Sequence, residues 1–83
     1  MGGVTSDSGW ERGETSLTRE WTLPDFAAAL ACVMRVGGIA EAQGHHPDIL
    51  IHGYNKVRLT LTTHSVGAVT DADERLAAAI DAL

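Results

Sequence analysis

The stretch from Lys56 to His64 constrains this chain most. Val57, Leu59, Leu61 and Thr63 alternate there with Lys56, Arg58, Thr60, Thr62 and His64. A period of two marks a strand with one buried face, and a helix cannot bury such a set together. Immediately before it stands Gly53-Tyr54-Asn55, a turn signal, preceded in turn by the short apolar run Ile49-Leu50-Ile51. Two such runs joined by so short a turn pair antiparallel. From Thr15 a second alternation places Leu17, Arg19, Trp21 and Leu23 on one face, and the segment from Trp10 to Gly13 offers an earlier short strand or a turn.

A sheet with an apolar face must be covered. Pro24 and Asp25 open a helix that runs to about Gln43, with Phe26, Leu30, Val33, Gly37 and Ala40 as its apolar stripe and Gly44 as terminator. Gly37-Gly38 inside it costs about 1 kcal/mol per glycine relative to alanine, so a bend or a close approach is expected there. Thr70 followed by Asp73 resembles a capping box and opens a closing helix with Leu76, Ala79, Ile80 and Leu83 on one side. The expected fold class is α+β: an antiparallel sheet of about four strands with two helices packed on one face.

Size and charge narrow the partners. The 83 residues suit a single domain spanning 1–83, with residues 1–9, small and polar, as a flexible tail. Cys32 is the one cysteine, so no internal disulfide can form. A chain of this size then leans on a metal or a partner subunit. The net charge of −5 has the wrong sign for a nucleic-acid footprint. No apolar run reaches the roughly 20 residues of a bilayer span, so no membrane is expected. The start lacks the basic and apolar regions of a signal peptide, which makes the cytoplasm the expected compartment.

Three of the four histidines sit at element ends. His45 and His46 join the long helix to a strand, and His64 ends the best strand. A hairpin turning near Gly53–Asn55 lays the start of the first strand beside the end of the second, which brings His45, His46 and His64 together. Adjacent histidines diverge along an extended chain, so a shared metal is awkward, and none is expected. His52 reads as a solvated strand-end residue, Tyr54 as packing beside the turn, and Cys32 as a small buried apolar residue. Trp10 and Trp21 read as core or interface.

Glu41-Ala-Gln-Gly-His45-His46-Pro47-Asp48, then Tyr54, then Leu61-Thr62-Thr63-His64, then Thr70-Asp71-Ala72-Asp73 resembles the pterin-4a-carbinolamine dehydratases. The resemblance runs from about Trp10 to Leu83. Longer members carry a further helix ahead of the tryptophan, so a short form without that helix is expected. Gly44 stands where members often have Asn or Asp, and Ala68 replaces a frequent glycine.

The resemblance implies removal of water from a 4a-hydroxytetrahydropterin by histidine acid/base catalysis, in recycling of a pterin cofactor, with no metal or organic cofactor. It implies His45, His46 and His64 as catalytic, His46 as the principal proton-transfer residue, and Glu41 and Asp73 in support. Glu41 lies one helical turn before His45 and could orient an imidazole. The pterin would meet His45, His46, Pro47, Thr63, His64, Ser65 and Val66. A homodimer or homotetramer is the implied assembly. The alternative is a non-catalytic dehydratase-like module, such as a dimerisation cofactor or a protein-assembly factor.

Overall fold

The computed structural model describes residues 9–83. Of the expected tail, residues 1–9, all but Gly9 lie outside the described residues. The element order is β1 (Glu11–Arg12), β2 (Leu17–Thr22), α1 (Phe26–Gln43), β3 (Asp48–His52), β4 (Lys56–Leu61) and α2 (Asp71–Asp81). The strands form one antiparallel sheet in the order β1-β2-β4-β3. The hairpin expected around Gly53–Asn55 is present as β3–β4.

The register explains the core. Leu17 pairs with Leu61, Arg19 with Leu59 and Trp21 with Val57, while Ile49 and Ile51 pair with Leu59 and Val57 across the other side of β4. Alternation therefore collects Leu17, Trp21, Val57, Leu59 and Leu61 on one face, where all five are buried. Both helices close over that face, contributing Ala29, Cys32, Val36 and Ala40 from α1 and Leu76, Ala77 and Ile80 from α2. Arg19, the polar exception on this face, lies 4.8 Å from the Trp21 ring centroid and 2.5 Å from Asp81 Oδ1 of α2. Trp10 meets Trp21 edge-on at 6.0 Å and donates its Nε1–H to the same Asp81 carboxylate. The charge thus serves as a clasp between sheet and helix.

Five expectations need correcting. The buried stripe of α1 is Ala29-Cys32-Val36-Ala40, not Phe26-Leu30-Val33-Gly37-Ala40. Phe26 and Leu30 are exposed, as is Met34. This helix is apolar around most of its girth, so periodicity offers several stripes and the sheet chooses among them. With 18 residues and mean hydropathy 1.2 it is also long and apolar enough, by length and composition, to match a membrane span, contrary to the expectation that no such run exists. Gly37 and Gly38 neither break it nor admit a close neighbour, since a Cβ at either position would meet nothing within 4 Å. On α2, Ala77 rather than Ala79 is buried, and Leu83 is exposed. Tyr54 does not pack beside its turn: it is exposed, with φ at 57°, beside Gly53 at 55°.

Candidate active site

Gly44 ends α1 in the left-handed region at φ 66°, where glycine has no Cβ to clash. Its N–H bonds Glu41 O at 3.2 Å, and the next N–H, of His45, bonds Ala40 O at 3.1 Å. This C-cap turns the chain sharply, so His45 lies off the helix rather than one turn above Glu41. The two adjacent histidines then take different carboxylates.

His45 Nε2 lies 2.5 Å from Asp73 Oδ1, with the His45 side chain 17% exposed and Asp73 at 0%. His46 Nε2 lies 2.9 Å from Glu41 Oε1, with side chains 63% and 81% exposed. The imidazole that Glu41 meets is that of His46. Asp73 does cap its helix, its Oδ2 accepting the Thr70 N–H at 2.9 Å. It also accepts from the Thr63 hydroxyl at 2.7 Å, and the Thr63 and Thr70 hydroxyls lie 2.7 Å apart. Burial by itself would raise this carboxyl. The Thr70 N–H, the His45 and Thr63 hydrogen bonds and the His45 charge outweigh it and hold Asp73 below the usual carboxylate range.

His64 does not end a strand. β4 stops at Leu61, and Thr63 instead pairs with Ala68, closing a turn over His64, Ser65, Val66 and Gly67. His64, Ser65 and Val66 are all exposed on that turn, while Thr63 is half-buried at its base. Pairing of Asp48 with Thr60 sets the start of β3 beside the end of β4, as the hairpin argument requires. Pro47 is half-buried at the start of that strand. The structure thus joins His45, Asp73, Thr63 and Thr70 in one hydrogen-bonded group, and His46 with Glu41 in another.

In the sequence Thr70 reads only as a cap. The signal for its wider role was slight, a Thr-x-x-Asp box following a strand that ends in threonines. His52 sits apart, on the far face of the sheet, 2.7 Å from Glu20 Oε1, which also lies 3.7 Å from Arg58. Burial pushes the Cys32 thiol up, against the weaker pull of Arg35, so it stays an apolar filler. A cavity of about 340 Å³ lined by Trp10, Glu11, Thr18, Arg19, Glu20 and Arg58 includes none of the four histidines. The paired histidines, not that hollow, mark the candidate site.

The family model described as pterin 4 alpha carbinolamine dehydratase matches residues 3–83, nearly the whole chain. The chain belongs to that family. A Chloroflexus aurantiacus relative, provisionally named a pterin-4-alpha-carbinolamine dehydratase, is 51% identical over 72 residues, covering 87% of this chain and 76% of its own. A Gloeobacter violaceus relative with the same provisional name is 50% identical over 68 residues, covering 82% and 73%. Among solved structures, the transcriptional coactivator/pterin dehydratase from Brucella melitensis superposes with a TM-score of 0.80 at 34% identity, covering 89% of this chain and 80% of that one. A pterin dehydratase-like protein described as a RuBisCO assembly factor in the alpha-carboxysome shares the fold at a TM-score of 0.68 and 23% identity, covering 88% and 83%. The α+β architecture of this pterin dehydratase family member is therefore the family's own.

Proposed function

We propose that this chain is a hydro-lyase that dehydrates a 4a-hydroxytetrahydropterin to the quinonoid dihydropterin. The observation that carries the reading is the 2.5 Å contact between His45 Nε2 and the fully buried Asp73 carboxylate. A buried anion beside an imidazole stabilises the imidazolium that forms when the ring accepts a proton. His45 is then the general base, taking a proton from the pterin ring. His46 is the general acid for the 4a hydroxyl, which leaves as water once protonated. Its exposure, with Glu41 beside it, lets solvent restore the proton after each turnover.

Atoms balance in this scheme. The C4a–O bond breaks, the hydroxyl departs with the His46 proton, and the ring proton moves to His45. Proton exchange with solvent resets both rings. Neither electrons nor a transferred group are left over, so the reaction calls for no cofactor. Each positioned proton transfer contributes about 10²- to 10⁴-fold. His64, with Pro47, Ser65 and Val66, holds the pterin, and Thr63 stands at the base of the turn that carries His64. The product is the oxidised form that a reductase returns to tetrahydropterin, so the protein would serve an aromatic amino-acid hydroxylase in the cytoplasm.

The test is direct. A hydroxylase generates the 4a-hydroxy pterin, and its decay is followed with and without this protein. Faster decay at micromolar protein is the expected result; the spontaneous rate would sink the reading. It would leave the rival, a dehydratase-like binding module without catalysis.

Self-association belongs to the same proposal. β3 is an edge strand with Ile49 and Leu50 exposed, and α1 exposes Phe26, Leu30 and Met34. Unpaired edges and apolar surface of this kind favour association. Sedimentation should return at least twice the 8.8 kDa chain mass, as a homodimer or homotetramer requires. A strict monomer contradicts it.

A further inference from the structure

We propose that Thr63 and Thr70 are positioning residues: their hydroxyls form a one-way hydrogen-bond chain into Asp73 that fixes His45 as the Nε2–H tautomer and presents Nδ1 as its proton-accepting atom. The catalytic meaning of this chain rests on the dehydratase reading, whereas the tautomer itself does not.

Proton counting sets the direction. A hydroxyl has one proton to donate, and an ionised carboxylate has none. Thr63 Oγ1 lies 2.7 Å from Asp73 Oδ2 and donates to it. Its proton is then committed, so across the 2.7 Å contact with Thr70 Oγ1 it can only accept. Thr70 must be the donor there, and its oxygen in turn accepts the Ala72 N–H at 3.3 Å. The order is therefore Ala72 N–H to Thr70, Thr70 to Thr63, and Thr63 to Asp73. Hydrogen bonds aligned in this way polarise one another.

Asp73 completes the count. Oδ2 accepts from both the Thr63 hydroxyl and the Thr70 N–H, the latter at 2.9 Å, which leaves Oδ1 for His45. Those donors favour the ionised carboxylate, and an ionised carboxylate can only accept. His45 Nε2 must then carry a proton in both charge states of the ring. In the neutral ring Nδ1 is left bare and basic.

Thr63 has a second connection. Its N–H bonds Ala68 O at 3.1 Å, and its carbonyl accepts the Val66 and Gly67 N–H groups at 3.0 and 2.8 Å. It therefore pins the turn that carries His64 by its backbone and the partner of His45 by its side chain. One residue holds the two arms of the site in register.

Imidazole ¹⁵N shifts of the full, ¹⁵N-labelled chain, taken where His45 is neutral, test the proposal. The wild-type spectrum should show protonated Nε2 and bare Nδ1 at His45. Thr63→Val should mix the two tautomers, and Thr63→Ser, which keeps the hydroxyl, should restore the single one. Kinetically, Thr63→Val should lower kcat about tenfold with KM changed much less, the loss expected for one hydrogen bond to a charged group. A wild-type His45 protonated on Nδ1 overturns the proposal, and that measurement needs no variant to fold. An unmixed Nε2–H tautomer in folded Thr63→Val, or an unchanged kcat, also overturns it. The expected tautomers in a protein with no dehydratase activity would uphold the hydroxyl chain and overturn only the dehydratase reading.

Discussion

His45 and His46 are neighbours, and each meets a carboxylate through Nε2, but the two pairs live in different media. Asp73 is sealed from water and accepts two further hydrogen bonds, from the Thr63 hydroxyl and the Thr70 N–H, whereas Glu41 stands in solvent on the last turn of α1. A buried carboxylate interacts strongly with its imidazole because little water screens it. An exposed pair of the same geometry is weak and readily exchanged. The comparison teaches a division of labour. The buried pair suits holding a proton at a defined atom, and the exposed pair suits trading protons with solvent.

The largest effect that could break this comparison is on turnover. His45→Ala and His46→Ala should each cost two or more decades in dehydratase kcat, with circular dichroism unchanged. Wild-type turnover in either variant removes that histidine from the mechanism. Next comes stability. Asp73→Ala should cost about 3 kcal/mol in urea unfolding, because it leaves His45 and the capping groups without their partner. Glu41→Ala should leave the urea midpoint within error, and equal losses in the two variants would erase the distinction between the pairs.

Acid titration sharpens the same contrast. A carboxyl held low in the folded state adds stability that is fully present above the unfolded carboxylate range and is lost as pH falls through the folded value. Asp73 is such a group. Stability should therefore fall as the pH drops below about 4, and Asp73→Asn should flatten that limb. Unfolding curves in urea from pH 2 to 6 measure it, and an unaltered slope in the variant would show that Asp73 is not the group responsible. A smaller gain is expected on the helix that leads into both pairs. Gly38→Ala should stabilise by about 0.5–1 kcal/mol, since an added Cβ meets nothing within 4 Å. The smallest effect belongs to the third histidine–carboxylate pair, His52 with Glu20 on the far face. His52→Ala should leave turnover unaltered, and a large loss there would mean that proximity to a carboxylate, not placement, selects the working histidines.

Much of the fold was legible because its signals are local and redundant. The alternation in β4, the turn at Gly53–Asn55 and the Thr70–Asp73 box each read from neighbouring residues, and each is present. The buried side of α1 is not legible for a physical reason: a helix of alanine, valine, glycine and leucine is apolar on several sides, and only the opposing sheet decides which side is buried. The side-chain alternation runs on through His64 and so suggests a strand there. The strand ends earlier because Thr63 finds Ala68 across a turn, a choice made by backbone hydrogen bonds that side-chain pattern does not encode. Helical spacing sets Glu41 under His45, and the left-handed Gly44 breaks that spacing.

What the sequence alone determined is therefore the set of parts: strands with one apolar face, two capped helices to cover it, and a hairpin that sets the start of β3 beside the end of β4. Its resemblance to the pterin dehydratases was readable for the same reason, since the motif is a matter of residue types at fixed spacings. Tertiary structure decided which partner each histidine meets and in what medium. The pairing of His45 with Asp73 joins residues 28 apart in the chain and depends on α2 docking until the carboxylate is sealed. Burial is a property of the packed whole, so no local pattern could have separated the buried pair from the exposed one.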